Sequence, residues 1–270
     1  MSEPELFSCL CVTENRPAFV HWFLWAFDRQ TWPCKELVIV DSSDVPIETT
    51  RSDVRVIRAD AGTLVSRKRN VALEMARGKF IAWFDDDDWS HPERLRWLAE
   101  AMMADASMAG ATRAWFVDLW GSGCRRYFGG DRLVFNTAGF RADVARSAVF
   151  DETLRKGSDT IWMRQLERRH AASARTIPSD SLTLWLCHDQ NLSNPRSSRT
   201  FPVPLSRLES LIGPAAWGET GAELAGLRAR LGPRPAAPRL ASAPVRVVAS
   251  SGDGRAAPKR RSRRRLYRIR

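Results

Sequence analysis

The stretch KFIAWFDDDD, Lys79–Asp88, decides the reading of this chain. Its apolar run, Phe80–Phe84, has the length of a strand and passes without a turn residue into four consecutive aspartates. Just upstream, Ser66–Arg77 sets Val71, Ala72, Met75 and Ala76 at helical spacing, with Gly78 as the stop. Downstream, Pro92 starts a helix with Leu95, Leu98, Ala99 and Met102 on one face. Toward the N-terminus, Leu6–Thr13 (LFSCLCVT) reads as a buried strand, and Pro17 opens an apolar helix running to about Trp32. Glu36–Asp41 (ELVIVD) is a strand that ends on a carboxylate, and Val54–Ile57 is another. This alternation predicts an α/β domain with a Rossmann-like, mostly parallel central sheet flanked by helices over residues 1–110.

In such a sheet, ligands bind outside the carboxyl ends of the strands. Asp41 and Asp85–Asp88 fall on the same edge by this rule. Neighbouring carboxylates repel by about 4 kcal/mol for a pair roughly 4 Å apart at an effective dielectric near 20. Four of them at the end of a buried strand therefore call for a cation. Hard oxygen donors suit Mg²⁺ or Mn²⁺ bridging to a diphosphate. The plainer alternative is a solvated acidic loop that stops a strand.

Over Gly62–Leu95, GTLVSRKRNVALEMARGKFIAWFDDDDWSHPERL, the chain resembles the nucleotide-sugar half of family 2 glycosyltransferases with the GT-A fold. The family pattern is an Arg-Asn pair on a helix, an Ala-x-Gly helix end, a hydrophobic strand, an Asp-x-Asp motif and a Pro-Glu-x-Leu helix. These correspond to Arg69-Asn70, Ala76-Arg77-Gly78, Phe80–Phe84, Asp85-Asp86-Asp87 and Pro92-Glu93-Arg94-Leu95. The resemblance implies a metal-dependent, inverting transferase that uses a nucleoside-diphosphate sugar, UDP-linked in the first instance, and an acceptor hydroxyl. It places Thr13 and the following loop on base and ribose, and Asp41 on the uracil edge. Arg69 would face phosphate, Asp85 and Asp86 the donor, and Asp87 and Asp88 the metal. Asp41 read alone is equally a turn or helix cap, and Arg67 or Arg69 alone could be a surface ion pair.

Residues 111–191 read as a mixture of short strands, turns and a helix near Asp159–His170. Asn136–Arg141 (NTAGFR) resembles the segment leading to the acceptor side. Family members often carry Glu-Asp at the start of the next helix, as general base on the acceptor hydroxyl. Here Ser158-Asp159 stands there, so the resemblance makes Asp159 the base, with Asp151 a weaker rival. A sugar hydroxyl is too weakly acidic to attack unaided, which is the chemical need for such a group. Asp159 could instead merely complement its helix dipole. His188–Asn194 (HDQNLSN), after the apolar strand Leu182–Cys187, resembles the family's His-x-x-Asn loop and makes His188 a candidate ligand. A nitrogen ligand would favour Mn²⁺ over Mg²⁺. Of the 11 Trp, Trp83, Trp97, Trp162 and Trp185 fit core patterns, whereas Trp89, Trp115 and Trp120 are candidates to stack on a sugar.

Nine of the residues Gly254–Arg270 are Lys or Arg and none is acidic, leaving about +2 of the +11 net charge for the rest. The basic stretch could attract nucleic acid, acidic glycan or an anionic membrane surface. Residues 206–231 read as a helical extension, with Trp217–Leu231 one helix. Residues 232–270 form an Ala/Pro/Ser linker and basic tail expected to be disordered. That leaves 1–205 as the GT-A domain, halved into 1–110 and 111–205. Five cysteines without a CxxC pair, no signal pattern and no membrane-length apolar run suggest a cytoplasmic protein, with peripheral membrane association through the tail as the alternative. Two other classes remain. A nucleotidyltransferase would need a Gly-rich loop with Lys where this chain has TENRP. A polyanion-binding protein, or a glycosyltransferase acting on nucleic acid, would work through the tail, which lacks interleaved aromatics apart from Tyr267.

Overall fold

The computed structural model describes residues 3–121, 123–178, 182–191 and 200–234. The expected disorder of 235–270, and with it the basic tail, lies outside the described residues. In chain order the elements are β1 (Phe7–Thr13), α1 (Pro17–Asp28), β2 (Lys35–Asp41), β3 (Val54–Arg58), α2 (Val65–Met75), β4 (Phe80–Trp83), β5 (Asp88–Ser90), α3 (Arg94–Met103), β6 (Met108–Gly110), β7 (Arg113–Asp118), β8 (Cys124–Phe128), β9 (Gly139–Arg141), α4 (Ala142–Arg146), α5 (Ser158–His170), β10 (Ala174–Thr176), β11 (Thr183–Cys187), β12 (Thr200–Val203), α6 (Leu205–Ile212) and α7 (Pro214–Leu231).

Seven strands form the central sheet in the order β10-β6-β9-β4-β1-β2-β3, parallel except for β9. Alternation along each strand sorts the apolar residues into two layers. Phe7, Cys9, Cys11, Leu37, Ile39, Phe80 and Ala82 pack on α1 and α3. Leu10, Val12, Val38, Val40, Ile81 and Trp83 pack on α2, α4 and α5. Because both faces are covered, the strands read as continuous apolar runs. Gly78 is required where α2 gives way to β4: a Cβ there would lie 2.6 Å from the Ser8 amide nitrogen of β1.

The second half supplies more of this sheet than expected. β9 enters between β4 and β6, and β10 forms the edge, so the sheet does not end near residue 110. A further sheet, in the order β12-β8-β7-β11-β5, covers a third apolar layer formed with α1, α6 and α7. Helix α1 serves two layers: Phe23 and Phe27 enter one, Phe19 and Trp22 the other. It ends at Asp28 rather than Trp32. There the Gln30 side chain donates to the Ala26 and His91 carbonyls and accepts from the Leu95 amide, which caps the end and ties it to α3. The C-terminal extension is two helices, broken at Gly213, whose φ is +91°.

Three tryptophan assignments are reversed. Trp89 and Trp115 are fully buried, not exposed stacking surfaces, because their strand positions face the third layer. Trp185, expected in the core, is only half-buried and lines a cleft.

Candidate active site

Strand β1 lies between β2 and β4, so the sheet order runs outward from it in both directions. That reversal opens a crevice at the carboxyl ends of the strands. Registers set who meets whom. Leu10 pairs with Trp83, and three residues further along both strands Thr13 meets Asp86, its Oγ1 donating to Oδ2 at 2.6 Å. Thr13 also pairs with Asp41 across β2. The acid run lines a cleft of about 960 Å³ together with Thr13, Arg16, Lys68, Arg69 and Asp159.

Each aspartate has its own surroundings. Asp85 faces Arg69, Nη2 to Oδ1 3.4 Å. Burial pushes its carboxyl up, Arg69 opposes this, and Asp87 and Asp159 add to it. Asp86 is pushed up to about 6 by burial and the Asp87 charge, against Arg16 and the Thr13 hydroxyl. For Asp87 burial is outweighed by His188 and Arg16, and its carboxyl is held below the ordinary value. Asp88 is raised by burial and by Asp87 and Asp85, although the Asn136 amide donates to it.

Arg16, which sequence reasoning passed over, is the main counter-charge. Its Nη1 donates to Asp86 Oδ1 at 2.7 Å and to Asp87 Oδ2 at 3.0 Å, and its Nη2 to the Gln190 carbonyl. The signal was its place in the loop directly after β1. Lys68, also passed over, is 1% exposed and donates to the Thr13 carbonyl, Ser42 Oγ and Glu14. Arg69 lies 4.7 Å from the Phe135 ring centre and 5.6 Å from those of Trp83 and Phe150.

His188 Nδ1 accepts from the Gln190 amide at 3.2 Å, which makes Nε2 the protonated nitrogen, 3.1 Å from Asp87 Oδ2. Asn191, the Asn of the His-x-x-Asn loop, donates to the same oxygen at 3.2 Å. The structure thus joins His188 to Asp87, but Asp88 turns to Asn136. Among the described residues no three His, Cys, Asp or Glu side chains form a group able to hold a metal by themselves. The donor chemistry still fits a hard divalent cation: carboxylates crowd one turn, and Asn136, 3% exposed beside Asp88, has its buried Oδ1 without a partner. A diphosphate would have to complete the shell.

Asp41 stands apart from the cleft. It is fully buried, its oxygens accept from the Ser43 and Ile47 amides at 2.8 and 3.0 Å, and Arg58 lies 3.1 Å away. Burial opposes ionisation, but these hydrogen bonds and Arg58 hold its carboxyl low. It acts as a cap on the loop after β2. Asp159 lines the cleft at the second residue of α5, after Gly157 at φ +77°. Asn70 holds the approach to it: Oδ1 accepts from the Phe150 amide at 2.9 Å and Nδ2 donates to the Phe150 carbonyl at 3.0 Å. Asp151 is exposed and bonded to Thr153. No helix among the described residues is long and apolar enough to cross a membrane.

The fold is shared with TarS of S. aureus. A structure of TarS residues 1–349 with UDP superposes at TM-score 0.53 and 16% identity, covering 67% of this chain and 60% of that one. One with UDP-GlcNAc gives 0.54 and 16%, covering 68% and 59%. This chain thus spans about 60% of those structures' length. No curated protein matches in sequence. Residues 8–151, more than half of the chain, match the family profile described as Glycosyl transferase family 2. They include the strand-end aspartates, the Arg-Asn helix and Gly78, and on that match the chain belongs to glycosyl transferase family 2.

Proposed function

We propose that this chain moves a sugar from a nucleoside-diphosphate sugar, with UDP as nucleotide, to an acceptor hydroxyl, in a reaction that needs a divalent cation and inverts the anomeric carbon. The observation that carries the reading is the meeting of Asp85–Asp87, Thr13, Lys68 and Arg69 with Asp159 around one cleft at the strand-order reversal. UDP is the first nucleotide to test because the TarS structures hold UDP and UDP-GlcNAc.

In this reading Thr13 and Asp86 hold the nucleotide side of the donor, and Arg69 and Asp85 border its phosphates. Asp41 shapes the base-side loop through its backbone hydrogen bonds rather than by reading the base. Mn²⁺ or Mg²⁺, when bound, would neutralise the departing diphosphate. Asp87, with His188 and Asn191 aligning its carboxylate, and the neighbouring Asp88 with Asn136 are the groups that would hold the cation. The acceptor hydroxyl gives its proton to the Asp159 carboxylate as its oxygen bonds to the anomeric carbon. The bond from that carbon to phosphate breaks, and its electron pair leaves with the diphosphate.

The test is donor turnover and binding across UDP-, GDP- and dTDP-sugars, with Mn²⁺, with Mg²⁺ and with chelator. Cation-dependent release of one nucleoside diphosphate is expected. Absence of both turnover and binding with every donor would overturn the reading.

A further inference from the structure

Beyond the acid run, the second sheet presents an aromatic surface to the same cleft. Trp185 on β11 stands directly across from Asp88 on one side and from Phe116 on the other, so the three side chains form a row on one face. The Phe116 and Trp185 ring centres are 4.4 Å apart, and Tyr127 completes the group at 5.5 Å from Trp185. All three rings line the cleft. A platform of this kind matches the apolar face of a sugar ring.

Cations flank Asp159 in the sequence and border the same cleft. Arg155 and Lys156 end the loop that leads into α5, and Arg164 lies on α5; all three line the cleft. Among the described residues no acid pairs with any of them, whereas Glu167, which also lines the cleft, is engaged by Arg132 at 3.6 Å. The acids left on this side are Asp159 itself and Asp131. What surrounds the base surrounds the acceptor, so the surplus charge belongs to the acceptor side and not to the donor diphosphate. The chain's composition carries the same sign, with nine Lys or Arg and no acid over 254–270.

We infer that the acceptor is anionic: a sugar ring on the Phe116–Tyr127–Trp185 platform, bearing a phosphate or carboxylate that meets Arg155, Lys156 and Arg164. This rests on the glycosyltransferase reading above. A guanidinium or ammonium contact to such a group is a charge-assisted hydrogen bond, weakened by salt where it is exposed.

The probes are a methyl hexoside, its 6-phosphate and the corresponding methyl hexuronide, added to the full chain. Two quantities are read: acceptor-stimulated release of nucleoside diphosphate, and calorimetric binding of each probe in the presence of UDP and Mn²⁺. At least one anionic probe should exceed the neutral hexoside by about tenfold in kcat/KM and in affinity, and the preference should shrink between about 50 and about 500 mM salt. Replacing the cations together, Arg155→Gln, Lys156→Gln and Arg164→Gln, should bring the preference to within about twofold through the KM of the anionic probe, with the melting temperature kept because all three are exposed. Equal use of neutral and anionic probes, no binding of either anionic probe, or a preference retained by the triple variant would each overturn the inference. The 6-phosphate and the hexuronide arms separate phosphate from carboxylate. If the wild type neither turned over nor bound any donor, the glycosyltransferase reading would fall, and the binding isotherms alone would still decide the charge preference.

Discussion

On the donor side of the cleft each cation faces an acid: Arg16 on Asp86 and Asp87, Arg69 on Asp85, Lys68 on Glu14. On the acceptor side Arg155, Lys156 and Arg164 have no such partner among the described residues, and the neighbouring surface is aromatic. The donor side sits on parallel strands buried on both faces, which hold charges in place and make their mutual compensation necessary. The acceptor side is a loop, a helix start and a half-exposed sheet face, where charge stays available to a ligand. On one half every cation is therefore already engaged by an acid before any substrate arrives, with acid to spare at Asp88, and on the other these three cations are not.

Asp159→Asn breaks the division of labour most sharply. Transfer should fall by about 10²–10⁴ in kcat, the range of a lost general base. UDP affinity should be kept or slightly improved, since the Asp159 charge adds to the strain on Asp85. Stopped-assay kinetics with UDP titration decide it, and a matching loss of UDP affinity would place Asp159 in the donor site.

Arg16→Ala tests how far the donor side depends on its own cations. Removing one member of a largely buried pair leaves two acids without their cation, at about 3 kcal/mol. For a chain of this size that is roughly 9 °C in melting temperature at neutral pH. Mn²⁺ should recover part of the loss. Melting curves with and without the cation give the answer, and an unchanged melting temperature would make Arg16 a bystander.

The pH dependence sharpens the same point. Asp86 ionises near 6 in the folded chain and near its ordinary value when unfolded, so the folded state binds the extra proton between these limits. Stability from this group is therefore full at low pH and is lost as pH rises through about 6. A cation favours the ionised form, so Mn²⁺-induced stabilisation should grow as pH rises from 5 to 7.5, with affinity changing about tenfold per pH unit below 6 for each proton displaced. A thermal shift with Mn²⁺ that is flat across this range would contradict it.

Trp185→Ala should act on the acceptor side alone and most mildly. Loss of one ring from the platform is worth about 1 kcal/mol, roughly fivefold in acceptor KM, with donor hydrolysis in the absence of acceptor as the comparison. An effect on donor KM instead would move the ring to the other substrate.

Much of the donor half could be read in advance because its signals are local. Gly78 marks a close backbone approach, Phe80–Phe84 a strand buried on both faces, and Asp85–Asp88 a strand end. The acceptor half was harder because its strands are three to six residues long and, apart from the β7–β8 hairpin, pair with distant partners. Trp115 and Phe116 are neighbours in sequence but face opposite sides of β7, so no composition rule could say which ring meets the cleft. Arg16 was passed over for a similar reason. Its value depends on Asp86, Asp87 and Gln190, which lie 70 or more residues away.

By itself the sequence determined the α/β class, the central strands and the cluster of acids at one sheet edge, since periodicity and strand termini are properties of short segments. Only the tertiary structure decided that Asp41 is consumed by its own loop while Asp86 meets Thr13. It alone joined His188 to Asp87, put Arg16 between the acids, and laid Trp185 rather than Trp115 on the cleft. Those outcomes depend on strand register and long-range pairing, where a shift of one residue exchanges core for cleft.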